Sequence, residues 1–277
     1  MSRGDFLGRL KNNKRAVSPA LSTIILTSAI ITMLLVAILF ANNFLTGQIA
    51  KNEFNSMSQF MQTVGLQIDQ VAWIPGGTQT LTYTTKYGQV LLRPLALNYT
   101  FYFNGLPVWN STSSIIMFAM PIGSYGVANN TSQEIYPSST SFLQNGTSAP
   151  VCRIFTVEQL PMPDGSFIRT VVAPIVRELN SVINGITYVR FYLPILSNGL
   201  NLQPSQSVTL TGTNVFYLTA SSVSTVAISV SFPSNVTAGL TSSFFNFNST
   251  SQTVTVGSNS IVEIYGGNVT VSLGLSS

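Results

Sequence analysis

Histidine is absent from this 277-residue chain, and cysteine occurs once, at Cys152. The first absence excludes Ser-His-Asp and Cys-His catalysis, imidazole metal ligands and a histidine pH switch. A single cysteine likewise excludes an intramolecular disulfide framework and thiolate zinc clusters. Charge is scarce too: Asp, Glu, Lys and Arg make up 7% of the residues, against roughly 25% in ordinary soluble proteins. With 45% hydrophobic residues and a mean hydropathy of +0.36, this is not the composition of an ordinary cytosolic enzyme. So few titratable side chains also predict little change of stability or surface charge with external pH.

The formal net charge of +4 and the pI near 9.3 resemble a nucleic-acid footprint until the charges are placed. Arg3, Arg9, Lys11, Lys14 and Arg15 supply five of the twelve basic residues, and in that stretch only Asp5 opposes them. Beyond residue 16, seven basic and seven acidic residues balance. The excess therefore sits in an N-terminal tag, and the body has no basic patch to attract phosphate, so a nucleic-acid partner is not expected.

A run without charge follows, Ala20 to Ala41. A helix of that length, at about 1.5 Å per residue, spans the roughly 30 Å hydrocarbon core of a bilayer. Five positive charges precede it and only Lys51 follows closely, which predicts residues 1–16 in the cytoplasm and the long C-terminal portion outside. A cleaved secretory signal fits less well: its apolar region is typically about 7 to 15 residues and ends in small residues, whereas Leu39 would stand three residues before a cut at Ala41. Ser18 followed by Pro19 fits an N-cap and first helical position, predicting a helix start there. Asn12, Asn13, Lys14, Arg15 and Ala16 would then form a polar, unwound segment that a protease at the inner membrane face can reach.

Lys14-Arg15-Ala16-Val17-Ser18-Pro19, directly followed by the apolar helix, resembles the class III signal peptide of archaeal type IV pilins and archaellins. The resemblance covers about residues 1–50. It implies that a membrane-embedded prepilin peptidase cuts between Ala16 and Val17, so that the leader leaves and the hydrophobic anchor stays. Bacterial members carry a glutamate where this chain has Leu21, a residue archaeal members commonly lack. Further implied partners are an assembly ATPase with its membrane platform, an oligosaccharyltransferase, the lipid bilayer, and other copies of the chain in a homo-oligomeric filament.

The helical pattern continues past the membrane run. Met57, Phe60, Met61, Val64, Ile68 and Val71 recur at three- and four-residue spacing, with polar residues largely between them. Pro75-Gly76-Gly77 ends the pattern. The predicted organisation is α+β: a basic leader over 1–16, a helix over 17–74 (transmembrane about 20–44, amphipathic about 45–73), and an extracellular, sandwich-like β domain over 75–277.

In that domain, strands are predicted at Thr78–Thr85, Gln89–Phe103, Ser113–Met120, Val151–Leu160, Phe167–Val176, Ile186–Leu193, Ser207–Thr211, Thr225–Phe232, Thr253–Val256, Ile261–Tyr265 and Asn268–Leu273. Tyr87-Gly88, Asn104-Gly105, Pro163-Asp164-Gly165, Asn184-Gly185 and Gly266-Gly267 read as turns between them. The stretch 122–150, rich in Gly, Ser, Asn and Thr, reads as a long surface loop.

Asn-x-Ser/Thr acceptor motifs occur at Asn98, Asn110, Asn129, Asn130, Asn145, Asn235, Asn248 and Asn268, all on the side predicted to be outside. Asn110, Asn145 and Asn248 sit in loop-like sequence, whereas Asn98 reads as strand. After the helix the only carboxylates are Glu134, Glu158, Asp164, Glu178 and Glu263, with no sign of a catalytic pair, and no P-loop, EF-hand or Gly-x-Ser-x-Gly elbow is present. No cofactor or metal is expected. Cys152, in an alternating Val-Cys-Arg-Ile-Phe stretch, reads as a buried free thiol. Thr23 with Thr27, and Ser28 with Thr32, are spaced for back-bonding within their own helix.

Three readings follow in order. The first is a structural subunit of a type IV pilus-like filament. The second is a membrane-retained surface protein that binds the cell envelope, a substrate or another cell without polymerising. The third is a tethered hydrolase, which needs carboxylates converging in a cleft.

Overall fold

A computed structural model describes residues 4–121, 123, 132–158, 166–201, 206–233, 239–257 and 260–274, with the side chains of residues 4–20, 200 and 201 outside that description. One helix, α1 (Gly4–Val71), precedes a mostly β domain. The chain divides into two compact units, residues 1–49 and 50–277.

The first unit is helical from Gly4 onward, which corrects the helix start expected at Ser18 and Pro19 and the unwound segment expected over 12–16. Between Gly4 and Ala16 Leu, Arg, Lys and Ala supply seven good helix formers in thirteen residues, and there is no proline. Pro19 removes one bond, to the Arg15 carbonyl, and the helical backbone runs through it.

In the second unit α1 stops where the sequence predicts. Its last turn is followed by a bond from the Ile74 N–H to the Val71 carbonyl at 3.1 Å, and Gly76 takes φ +82°, a conformation that favours glycine. The strands are β1 (Thr78–Thr82), β2 (Gln89–Phe103), β3 (Leu106–Pro121), β4 (Ser132–Tyr136), β5 (Leu143–Asn145), β6 (Cys152–Val157), β7 (Phe167–Pro174), β8 (Val176–Ile183), β9 (Ile186–Asn201), β10 (Ser207–Ser221), β11 (Thr225–Ser231), β12 (Ser251–Thr255) and β13 (Ser260–Leu273), with a short helix α2 (Ser242–Phe245) before β12. They form a six-stranded sheet A, in the order β1-β10-β13-β9-β8-β5, and a seven-stranded sheet B, in the order β12-β11-β2-β3-β7-β6-β4. Among the described pairs only β13 with β9 and β5 with β8 are parallel.

Two hydrophobic cores organise these layers. The first joins both sheets: Tyr99, Phe101, Ile115, Met117, Phe155 and Val171 of sheet B meet Phe191, Leu193, Val262 and Ile264 of sheet A. The second surrounds α1, where Phe54, Met57, Met61, Val64 and Ile68 pack with Ile116, Phe118 and Met120 of β3 and with Val208, Leu210 and Val271 of sheet A. Successive strand residues point to opposite faces. Strand β3 therefore gives Ile115 and Met117 to one core and Ile116, Phe118 and Met120 to the other, and is buried on both sides from Ser113 to Met120.

Asn104-Gly105 and Asn184-Gly185 are the expected two-residue hairpin turns, with φ of +49° and +84° in the first and +52° and +77° in the second. Gly266-Gly267 is not a turn: β13 runs straight through it as one strand. These glycines serve close approach instead. A Cβ on Gly267 would lie 2.4 Å from the Ala72 carbonyl oxygen, and one on Gly212 of β10 would lie 2.4 Å from that of Val71. The end of α1 is seated on bare backbone there, and Gly212 exchanges hydrogen bonds with Gly76 and Gly77 at 2.7 and 2.9 Å. The loop expected over 122–150 contains β4 and β5, and β8 is a strand that the sequence reading passed over. The Pro163-Asp164-Gly165 turn lies outside the described residues.

Candidate membrane-spanning and processing segment

Every side chain from Leu21 to Ile49 is exposed, and Ala50 is the first buried one among the described side chains. Ile24 is 67% exposed, and Met33 and Phe40 are 73% exposed. Water would meet a continuous apolar surface far larger than a soluble monomer usually shows. At about 1.5 Å per residue this part of α1 exceeds the roughly 30 Å of a bilayer core, and it is long and apolar enough to cross one. Three of its hydroxyls are satisfied internally: Thr27 donates to the Thr23 carbonyl at 2.8 Å, Thr32 to that of Ser28 at 2.8 Å, and Thr46 to that of Asn42 at 2.8 Å. Back-bonding of this kind removes the cost of a bare hydroxyl in hydrocarbon.

The proposed cleavage residues Lys14, Arg15, Ala16 and Val17, with Ser18 and Pro19, lie on helical backbone, and their side chains are outside the described residues. Because Pro19 has no N–H, the Arg15 carbonyl lacks its intrahelical donor one residue before the Ala16–Val17 bond.

Where the apolar surface ends, the β domain grips the helix. Glu53 receives hydrogen bonds from the Thr85 hydroxyl and from the backbone N–H groups of Lys86 (3.0 Å), Tyr87 (2.9 Å) and Gly88 (3.1 Å). Partial burial pushes this carboxyl up, but those four donors outweigh it and hold Glu53 below the usual carboxylate range. Tyr87-Gly88 is thus a strap around a carboxylate rather than a hairpin turn. The one signal for it in the sequence is Glu53 itself, an acidic residue beside the apolar stripe. Further along the helix, Asp69 accepts from Trp73 Nε1 at 2.9 Å and pairs with Arg177 of β8 at 3.0 Å.

The acceptor motifs separate by environment. Asn145 and Asn248 are exposed, the first at the end of β5 and the second in a loop. Asn110 is exposed although it lies within β3, and its amide donates to Thr100 Oγ1 at 2.8 Å. Asn98 and Asn268 are half-buried strand residues, and the Asn268 amide nitrogen is bonded to Asn214 Oδ1. Asn129, Asn130 and Asn235 lie outside the described residues.

The described carboxylates of the β domain each have their own structural partners. Glu134 pairs with Arg153, whose guanidinium is fully buried, lies over Phe155 and Phe247, and also donates to the Phe245 carbonyl. Glu178 accepts from Asn180 at 2.8 Å. Glu263 accepts from Arg190 at 2.6 Å, from the Tyr217 hydroxyl at 3.0 Å and from that of Tyr265 at 3.2 Å. Burial raises Glu263 while these donors lower it, and the net direction is down. Among the described residues no three His, Cys, Asp or Glu side chains are grouped to hold a metal ion. Cys152 is a buried free thiol, with its pKa pushed well above the ordinary value by burial and by the Asp69 charge. Asp164 lies outside the described residues. In comparisons with known proteins, no family model, no curated protein and no solved structure matches the chain.

Proposed function

We propose that this chain is a structural subunit of a type IV pilus-like surface filament of the archaeal kind. The observation that carries the reading is the change at Ala50 within one helix, from side chains exposed on all sides to a stripe enclosed by two sheets. An anchor of that design can lie in lipid before assembly and pack among copies of itself afterwards, while the stripe keeps the β domain attached. Lys14-Arg15-Ala16 before Val17 supplies the processing signal. On this reading residues 1–16 are cytoplasmic and are removed by a prepilin peptidase. The head is an extracellular, sandwich-like domain glycosylated at its exposed acceptor motifs, and an assembly ATPase with its platform drives export.

The N-terminus of the membrane-extracted or sheared protein tests this directly. Sequencing should give Val17 as the first residue, and electron microscopy should show filaments that Ala29→Lys abolishes by placing a charge in the apolar segment. A first residue of Met1 or Ser2 would overturn the pilin reading. The size of the second unit, Ala50–Ser277, favours one alternative, a pilin-like surface protein that binds envelope, substrate or other cells without polymerising. Processing at Val17 without filaments would select it.

A further inference from the structure

Each sheet has two edges, and the two are treated differently. In sheet B the edge strand β4 carries Glu134, has an irregular register between Glu134 and Tyr136, and is followed by Pro137. In sheet A the edge strand β5 is three residues long and ends at Asn145, an exposed acceptor motif. Charge, bulges, proline and shortness are the usual means of keeping a sheet edge from pairing with another chain.

The opposite edges have none of these. Strand β1 reads Thr78-Gln79-Thr80-Leu81-Thr82 and strand β12 reads Ser251-Gln252-Thr253-Val254-Thr255: equal length, no charge, no proline, and the same pattern at every position. Their bonding phase also matches. Gly212 donates to the Gly77 carbonyl and Tyr83 to that of Gln206, so residues 79 and 81 bond to β10 and the backbone groups of Thr78, Thr80 and Thr82 point to the open side. Val230 donates to the Thr250 carbonyl and Val256 to that of Ser224, so the open side of β12 carries the groups of Ser251, Thr253 and Thr255. The Ser249 hydroxyl closes over both backbone groups of Ser251, leaving Thr253 and Thr255 open.

We infer that β1 of one copy pairs with β12 of the next, joining the heads by strand addition between two different edges. A contact between unlike patches does not close as a two-fold dimer does; it propagates into a ring or an open helix, and the open helix is what a filament requires. The occupant is a second copy of this chain, because among the described strands the one that matches each open edge in length, charge and phase is the other. The inference rests on the filament reading and adds a head-to-head contact to it.

Cysteines at the centres of the two strands test the contact. Residues opposite each other across a hydrogen-bonded strand pair have Cα atoms about 5.5 Å apart, within disulfide reach. Full-length Thr80→Cys/Thr253→Cys, oxidised in its own membranes or as sheared filaments, should give a ladder of covalent oligomers on a denaturing gel. Each single variant should stay monomeric, with buried Cys152 taking no part. Thr253→Pro removes only an N–H that faces outward, so it should leave the thermal midpoint unchanged and yet lose filament yield. Dimers from a single variant equal to those from the double would overturn the head-to-tail pairing, and so would full filament yield from Thr253→Pro. Filaments without a ladder refute the edge contact and leave the filament reading standing. Neither filaments nor ladder refutes both.

Discussion

Replacing Gly267 with alanine tests whether the end of α1 is held against the bare backbone of sheet A. The added methyl would stand 2.4 Å from the Ala72 carbonyl oxygen and 2.9 Å from the Ala72 Cβ, and neither atom is the tip of a flexible side chain that can swing away. Either the helix end lifts or β13 bends. Overpacking of this kind costs about 1–3 kcal/mol, and the reduced freedom of the unfolded chain offsets roughly 0.4–1 kcal/mol of it. A net loss of about 1–2 kcal/mol lowers the unfolding midpoint of a domain this size by about 2–8 °C. The assay is thermal unfolding of the detergent-solubilised full chain followed by near-ultraviolet circular dichroism, to which Trp73, one residue beyond the contact, contributes directly. Gly257→Ala is the control, since among the described residues its Cβ would meet only the Ser260 hydroxyl, at 3.5 Å. Gly212→Ala presses the same helix end from β10, 2.4 Å from the Val71 oxygen and 2.6 Å from that of Ile74. Once one methyl has displaced the helix, the other has less left to disturb, so the double variant should lose less than the two singles together, by about 0.5 kcal/mol or more. A Gly267→Ala midpoint at or above the parent's, with Gly257→Ala unchanged, would refute the seating argument.

Other expectations follow from the charged contacts and the acceptor motifs. Glu53 and Glu263 are both held below the ordinary value of 4.5, so their contribution is complete above that pH and is lost as the pH falls through their lowered values. Scarce charge alone predicts little pH dependence, but these two bonded carboxylates change that. The unfolding midpoint should be flat from neutral pH to about 5 and fall below about 4.5, and Glu53→Gln/Glu263→Gln should flatten that fall while lowering stability at neutral pH. An unchanged acid slope in the double variant would remove these two groups as its cause. Glu134→Gln leaves the fully buried Arg153 guanidinium without an opposite charge and should cost about 3 kcal/mol, read as a lower urea midpoint at constant slope. Peptide mass spectrometry should find glycan on Asn145 and Asn248 and none on Asn268, whose amide nitrogen is already bonded to Asn214.

The parts of the fold that local chemistry dictates were legible in the sequence. The stripe from Met57 to Val71 is buried almost throughout, the helix ends before Pro75-Gly76-Gly77, and β2 occupies the residues predicted, Gln89–Phe103. Contacts between distant elements were not legible. Gly266-Gly267 carries the same local signal as a turn, and only the arrival of Ala72 shows that the glycines make room for a helix. Strand β8 was hidden because Arg177, Asn180 and Ser181 look like loop residues, yet Arg177 faces Asp69 and Ser181 accepts from Arg190. Strand β4 lies in a polar stretch and is pinned by the pair between Glu134 and Arg153, which no window of neighbouring residues reveals. For the candidate segment itself, length and lack of charge foretold a helix long and apolar enough to cross a membrane. The helical backbone at Ser18 and Pro19 was misread, because a proline that fits a first turn is also tolerated where one missing bond is the only loss.

The position of β13 sets the order in which the head can be made. It comes after every other described strand in the chain, yet it lies inside sheet A, paired with β10 on one side and β9 on the other. Until residue 273 has emerged, β10 and β9 have no common neighbour and sheet A exists only as two fragments. Both cores also lack their share of it: Val262 and Ile264 from one, Val269, Val271 and Leu273 from the other. Helix α1 needs no such wait, since its bonds are local and form in well under a millisecond. The bonds of α1 can therefore be complete long before the β domain closes, and a ribosome that stops short of β13 leaves sheet A open.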